Sequence, residues 1–264
     1  MDLELASVFD RARYPLHVSE GRDIGAGHLR GWGLEYGGLL ETHVATDPIW
    51  QAAMRAARDR GSLVSEHKLA NLYLIIRYAM GSGDIHEFGS FSGGSAVFMA
   101  KILKALDLPA KVFAYDTYEG MPATDPVHDL HHPGDFADAQ YDRLLAYISD
   151  HALSSHIETV KGTFDATLPG ILARGRPVAL MHVDCDLYEP IKYVVRECLP
   201  AIAPAGHIVF DDPLHGSCLG AFDAVEQLLI RELDLTAEQA YPHLVFRYPP
   251  CHARDATASA TALR

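Results

Sequence analysis

The chain has 264 residues, with 35 acidic against 22 basic side chains and a formal net charge of −13. That length suits one large α/β domain or two small ones. The acidic balance excludes a broad nucleic-acid face, which needs a basic stripe, and disfavours anionic membrane surfaces.

In chain order, Met1-Asp-Leu-Glu-Leu5 lacks the basic and apolar regions of a signal peptide. No apolar run approaches the ~20 residues of a membrane span, so a cytoplasmic protein with neither nucleic-acid nor membrane partners is expected. Gly25, Gly27, Gly31, Trp32, Gly33, Tyr36, Gly37 and Gly38 crowd an aperiodic segment. Residues 1–60 read as an N-terminal extension or lid, suited to acceptor recognition or to subunit contacts in a homo-oligomer. Asp47-Pro48 starts a helix, with Asp as N-cap. A second helix from Ser65 carries Leu69, Leu72, Ile76 and Ala79 on one face and ends at Gly81-Ser-Gly83.

From there strand, turn and helix alternate. Strands are expected at Ile85–Phe88, Val112–Tyr115, Ile157–Val160, Val178–Met181, His207–Phe210 and Leu244–Tyr248. Helices are expected over Ala96–Leu106, after an Asp135 cap, through Ile191–Leu199 and through Phe222–Leu233. Such alternation gives a mostly parallel sheet with helices on both faces. Residues 61–250 form the expected domain and 251–264 a disordered tail. The cysteines, Cys185, Cys198, Cys218 and Cys251, make no C-x-x-C pair, so free thiols are expected.

Two acidic clusters each follow a buried-strand pattern: His182-Val-Asp-Cys-Asp-Leu-Tyr188 and Asp211-Asp212. Ligands of open α/β sheets bind beyond the carboxyl ends of the strands. Asp184, Asp186, Asp211 and Asp212 are therefore expected on one edge. Carboxylates so crowded repel one another. Mg²⁺ or Mn²⁺, which prefer oxygen ligands, relieves that repulsion.

The first strand runs into Glu87-Phe-Gly-Ser-Phe-Ser-Gly-Gly-Ser95. Its Gly89-x-x-x-Gly93-Gly94 spacing is not the G-x-G-x-x-G of dinucleotide enzymes. Asp116, ending the second strand, is placed to accept ribose hydroxyls. Glu87 at the loop's mouth favours a cationic ligand such as the sulfonium of S-adenosylmethionine over a pyrophosphate.

These segments, with Asp116-Thr-Tyr-Glu-Gly-Met-Pro122, Gly162-Thr-Phe-Asp-Ala-Thr-Leu-Pro169, Asp184-Cys-Asp-Leu-Tyr188 and Val209-Phe-Asp-Asp212, resemble the ordered motifs of the macrocin-type sugar O-methyltransferases, metal- and S-adenosylmethionine-dependent enzymes of antibiotic tailoring. The resemblance spans roughly Ser65 to Tyr248. It implies a class I, Rossmann-like methyltransferase fold whose seven-stranded sheet ends in an antiparallel strand. It implies that Glu87, Gly89 and Ser95 surround the methionine part of the cofactor, that Asp116 holds the ribose, and that Thr163 and Phe164 lie near the adenine. Asp184, Asp211 and Asp212 would be the metal ligands, and a glycosylated small molecule the substrate. Glu189-Pro190 stands where the family has a Ser or Thr.

An aliphatic hydroxyl needs help to lose its proton. A metal lowers its pKa and fixes its position. Asp186 is the candidate base, projecting to the same side as Asp184 if the segment is extended. The loop histidines His128, His131 and His132 are the rival base; Pro133 and the lack of a matched Cys or His speak against zinc there. His182 reads as a core histidine. Trp32, Tyr36 and Trp50 read as core packing before sugar stacking. A catechol or other phenol is the alternative acceptor, and an NAD-dependent oxidoreductase the alternative class.

Overall fold

The computed structural model describes residues 38–249. The glycine-rich segment with Trp32 and Tyr36, and the tail with Cys251, lie outside the described residues. Helix α1 spans Gly38–Ala45, α2 Pro48–Asp59 and α3 Glu66–Leu74, the last continued by a π-helical turn Ile75–Ala79. Then follow β1 (Asp84–Phe88), α4 (Gly94–Ala105), β2 (Val112–Asp116), α5 (Tyr141–Asp150), β3 (Ile157–Lys161), α6 (Phe164–Leu172), β4 (Val178–Val183), α7 (Tyr188–Cys198), β5 (Ile202–Phe210), α8 (Leu219–Ala224, continued as a π-helix over Val225–Glu232) and β6 (Leu244–Tyr248).

The strands form one sheet in the order β3-β2-β1-β4-β5-β6, with β6 alone antiparallel. This is the mostly parallel α/β sheet that the strand–helix alternation predicts, with six strands among the described residues rather than the seven that the resemblance implies. Between α8 and β6, where a further strand would fit, the chain turns through a cis Tyr241-Pro242 bond and touches the sheet by a single bridge, Gln239 to Val245. Every residue of β1 and β4 is buried. Central strands covered on both faces read as continuous apolar runs, which made β4 visible in the sequence.

Asp47 caps α2 as expected, accepting the Ile49 N–H at 2.8 Å. The buried face of α2, with Trp50, Ala53, Met54 and Ala57, packs on α4. Trp50 meets Tyr73 and Phe98 edge-on, with centroids 5.5 and 5.6 Å apart, so it is a core residue. The expected extension over residues 1–60 therefore ends in a helix packed into the same core as the sheet. Asp135 does not cap α5, whose N-cap is Gln140; its carboxylate instead accepts the His132 N–H at 3.0 Å. Leu145 and Phe222 are exposed. Cys185, Cys198 and Cys218 are free. Among the described residues no helix is long and apolar enough to cross a membrane.

The parallel register pairs Phe88 with Val183 and Val183 with Phe210. Hydrogen bonding continues one residue past the strands: Asp184 N–H donates to Phe88 O at 2.8 Å and Asp211 N–H to Val183 O at 3.0 Å. Gly89 N–H bonds Tyr115 O, and Gly162 N–H bonds Asp116 O, both at 2.9 Å. Backbone pairing alone thus aligns Gly89, Asp116, Gly162, Asp184 and Asp211 along one carboxyl edge.

Candidate active site

That edge floors a cavity of about 790 Å³. One half is the loop between β1 and α4. Asp116 organises it: Oδ2 accepts the N–H groups of Ser90 (2.9 Å) and Phe91 (2.7 Å), and Oδ1 accepts that of Tyr118 (2.7 Å). Buried Arg60 clamps the far side, donating through Nε and Nη2 to Ser92 O at 3.2 and 2.9 Å. Gly89 has φ +89°, and a Cβ there would lie 1.7 Å from Asp184 O. Its glycine is demanded by the neighbouring strand end before any ligand arrives. Gly94 likewise admits the Ser62 backbone.

Glu87 does not stand at the loop's mouth. Strand alternation turns its side chain under the loop, where it is fully buried and accepts Ser90 Oγ–H at 3.0 Å. Its other oxygen lies 3.0 Å from His182 Nδ1. Ser95 lines the cavity at the start of α4, and Thr163 and Phe164 line it at the start of α6, where Phe164 meets Phe88 edge-on at 5.5 Å.

The other half holds the carboxylates. Ligand oxygens of Asp184, Asp211 and Asp212 lie within 4.8 Å of one another. Burial, then the charges of Asp211 and Asp212, push the Asp184 carboxyl well above its ordinary range. Burial, Asp186 and Asp211 do the same to Asp212. Burial would also raise Asp211, but His182 and His243 outweigh it and hold Asp211 well below the ordinary range. His243 Nε2 lies 3.1 Å from Asp211 Oδ1; Asn71 Nδ2 donates to His243 Nδ1 at 3.1 Å, which leaves the proton on Nε2. Lys68, from α3, pairs with Asp211 Oδ2 and with its carbonyl.

His182 is buried, as the sequence implies, and bridges the two halves. Burial would lower its pKa, but contacts with Asp211 and Glu87 carry it up to about 10. The His182 Nε2 to Asp211 separation of 3.8 Å makes that contact ionic rather than a hydrogen bond.

Asp186 is not in an extended segment with Asp184. It adopts φ +61°, its N–H donates to Asp212 Oδ2 at 2.8 Å, and Leu187 N–H closes a tight turn onto Cys185 O at 2.6 Å. The turn separates the two side chains: Asp184 joins Asp211 and Asp212, whereas Asp186 joins His131 and Cys218. His128 stacks on Tyr188 at 3.8 Å and lies 2.8 Å from Asp223, fastening the loop, while His132 is exposed. Asp129 of the same loop accepts the Tyr188 N–H at 2.9 Å. It thereby caps α7, whose own N-cap, Leu187, has no capping group. Lys68, Asn71, His243 and Asp129 escaped the sequence reading because each reaches the edge from a distant segment with no spacing signal.

Residues 86–213 match the family model described as a methyltransferase domain. The chain is similar to the 8-demethyl-8-(2,3-dimethoxy-alpha-L-rhamnosyl)-tetracenomycin-C 4'-O-methyltransferase of Streptomyces olivaceus, 28% identical over 172 residues that cover 61% of this chain and 65%, just under two thirds, of that protein. It is 26% identical over 201 residues to the mycinamicin III 3''-O-methyltransferase of Micromonospora griseorubida, covering 67% and 78% of the two. Among solved structures it superposes on the calicheamicin methyltransferase CalS11 with a TM-score of 0.58 at 21% identity, over 81% of this chain and 95% of that one. The O-methyltransferase NovP follows with a TM-score of 0.52 at 22% identity, over 68% and 78%. These structural likenesses concern the fold alone. The match to the methyltransferase-domain model thus covers residues 86–213, just under half of the chain, and the sheet has the fold of the class I methyltransferases.

Proposed function

We propose that this chain moves the methyl group of S-adenosylmethionine to a hydroxyl of a sugar on a secondary metabolite, with a divalent cation, Mg²⁺ or Mn²⁺, at the carboxylate cluster. The observation that carries the reading is the meeting of the glycine loop, Asp116 and the Asp184-Asp211-Asp212 cluster in one cavity. The names of the tetracenomycin and mycinamicin relatives supply the acceptor class.

Asp116 keeps acceptor capacity on Oδ1 for a ribose hydroxyl while holding the loop. Ser95, Gly89, Thr163 and Phe164 shape the wall around the rest of the cofactor, and Glu87 acts from beneath through Ser90 and His182. The cluster fits a hard cation, since its donors are all carboxylate oxygens and two of them are raised by burial and then by mutual repulsion. Asp184, Asp211 and Asp212 would hold the ion, with Lys68 balancing part of their charge. When bound, it would act as a Lewis acid on the acceptor hydroxyl. Asp186 takes the proton as the acceptor oxygen attacks the methyl carbon, and the carbon–sulfur bond breaks to leave S-adenosylhomocysteine.

Labelled S-adenosylmethionine tested against deoxysugar glycosides and catechols, with chelator and with Mg²⁺ restored, checks the reading. Turnover of a glycoside that chelation abolishes and Mg²⁺ restores is the expected result. Transfer confined to catechols would replace the acceptor class, and full activity in metal-free protein would remove the cation.

A further inference from the structure

Beside the three-aspartate cluster, three unlike donors meet in the same cavity. Cys218 Sγ lies 3.1 Å from Asp186 Oδ1 and 3.8 Å from His131 Nε2, and His131 Nε2 lies 3.8 Å from Asp186 Oδ1. A tetrahedral zinc ion bound to a thiolate, an imidazole and a carboxylate sets donor-to-donor edges of roughly 3.3–3.6 Å. Each edge of the observed triangle is within about 0.5 Å of that figure, a gap that small side-chain rotations close.

A second observation orients the histidine. His131 Nδ1 lies 3.2 Å from Asp135 Oδ2. A proton held on Nδ1 by that carboxylate leaves the Nε2 lone pair facing Asp186 and Cys218, the carboxylate–histidine arrangement that supports zinc ligands. Sequence spacing speaks against zinc at the loop histidines because their partner is distant: Cys218 is separated from His131 by 87 positions. All three donors line the cavity, so the fourth position of such an ion opens into it. Sulfur and nitrogen favour zinc over magnesium, whereas the all-oxygen cluster favours the reverse.

We propose that His131, Asp186 and Cys218 form a second, soft metal site that takes Zn²⁺ and, by engaging Asp186, stops methyl transfer. The inhibitory part rests on the role given to Asp186 above; the site itself does not. On binding, the Cys218 thiol gives its proton to solvent, its hydrogen bond to Asp186 is lost, and both groups turn to the ion.

The full-length protein, with excess Mg²⁺ to satisfy the all-oxygen cluster, is titrated with Co²⁺ as a spectroscopic stand-in for Zn²⁺. One equivalent should bring up a thiolate-to-cobalt charge-transfer band. That band should vanish in Cys218→Ser and His131→Ala and persist in Asp211→Asn, and Asp135→Asn should weaken binding about ten- to a hundredfold. Absence of the band, its survival in Cys218→Ser, or its loss in Asp211→Asn overturns the site. Stoichiometric Zn²⁺ should block methyl transfer in the wild type; tight zinc binding with undiminished transfer overturns the inhibitory role. Failure to see transfer even with Mg²⁺ alone would indict the proposed reaction, while the cobalt band would still decide the site.

Discussion

The two halves of the carboxyl edge are built on opposite principles. At the ends of β1 and β2 one carboxylate, Asp116, is ringed by three backbone N–H groups, and glycines let neighbouring segments close in. At the ends of β4 and β5 three carboxylates crowd together, and only Asp211 is held ionised, by His243, His182 and Lys68. The first half is electrostatically satisfied and serves as a frame. The second is frustrated, and frustration of like charges in a cavity marks a place where a ligand supplies what the chain does not.

The frame is most sensitive at its tightest point. Gly89→Ala must place a Cβ 1.7 Å from Asp184 O at φ +89°. Overpacking and a strained backbone together should cost roughly 2–6 kcal/mol of stability. Denaturant unfolding measures it. A loss below about 1 kcal/mol, the ordinary cost of a point change, would show that the two halves are not rigidly abutted. Asp186→Asn probes the frustrated half with the opposite signature. It should fold normally and bind S-adenosylhomocysteine normally in calorimetry, yet lose about two to four orders of magnitude in turnover. Unchanged turnover would move the proton elsewhere, with His131 as the next base.

The two halves were also unequally legible in the sequence. The carboxylates were visible because side chains carry the signal: apolar runs ending in acidic pairs announce strand ends, and parallel pairing aligns Asp184 with Asp211. Asp186 was misplaced because its φ of +61° breaks the alternation on which the extended reading depends. In the frame, the glycines were visible but not their reason, since the Asp184 carbonyl that needs Gly89 and the Ser62 backbone that needs Gly94 come from elsewhere in the chain. Glu87 was seen as a ligand group because its burial depends on the sheet above it. The sixfold rather than sevenfold sheet turns on a connection whose irregularity no periodicity announces.

Asp116 tests whether the frame does more than hold itself. Asp116→Ala should weaken S-adenosylmethionine by ~1.5–3 kcal/mol, about ten- to a hundredfold in affinity. It should also loosen the Ser90–Phe91 turn, while the response of the carboxylate cluster to Mg²⁺ stays nearly unchanged. Isothermal titration with each ligand separates the effects. Equal losses in both would erase the distinction between the halves.

The smallest effect is the most specific. Asp184 and Asp212 have raised carboxyl pKa values in the folded state, so their contribution to stability is fully present below the ordinary carboxylate value of 3.8 and is lost as pH rises through their raised values. Asp211 has the opposite shift, and its contribution is already complete above that ordinary value. Buried His86 and His243, lowered to about 4 chiefly by burial, lose stability as pH falls below 6.5, which opposes the aspartates in a simple melting curve. The difference between Mg²⁺-loaded and chelated protein cancels the His86 part and leaves the competition of protons with the cation for Asp184 and Asp212, together with His182 and His243. The contacts of these two histidines with Asp211 favour their protonated forms, so they also release protons when the cation binds. The thermal shift produced by saturating Mg²⁺ should therefore grow as pH rises from mildly acidic to neutral, and Asp184→Asn should flatten that growth. A shift that is independent of pH, or that shrinks as pH rises, would mean that the cation does not displace protons from these carboxyls and would place it elsewhere.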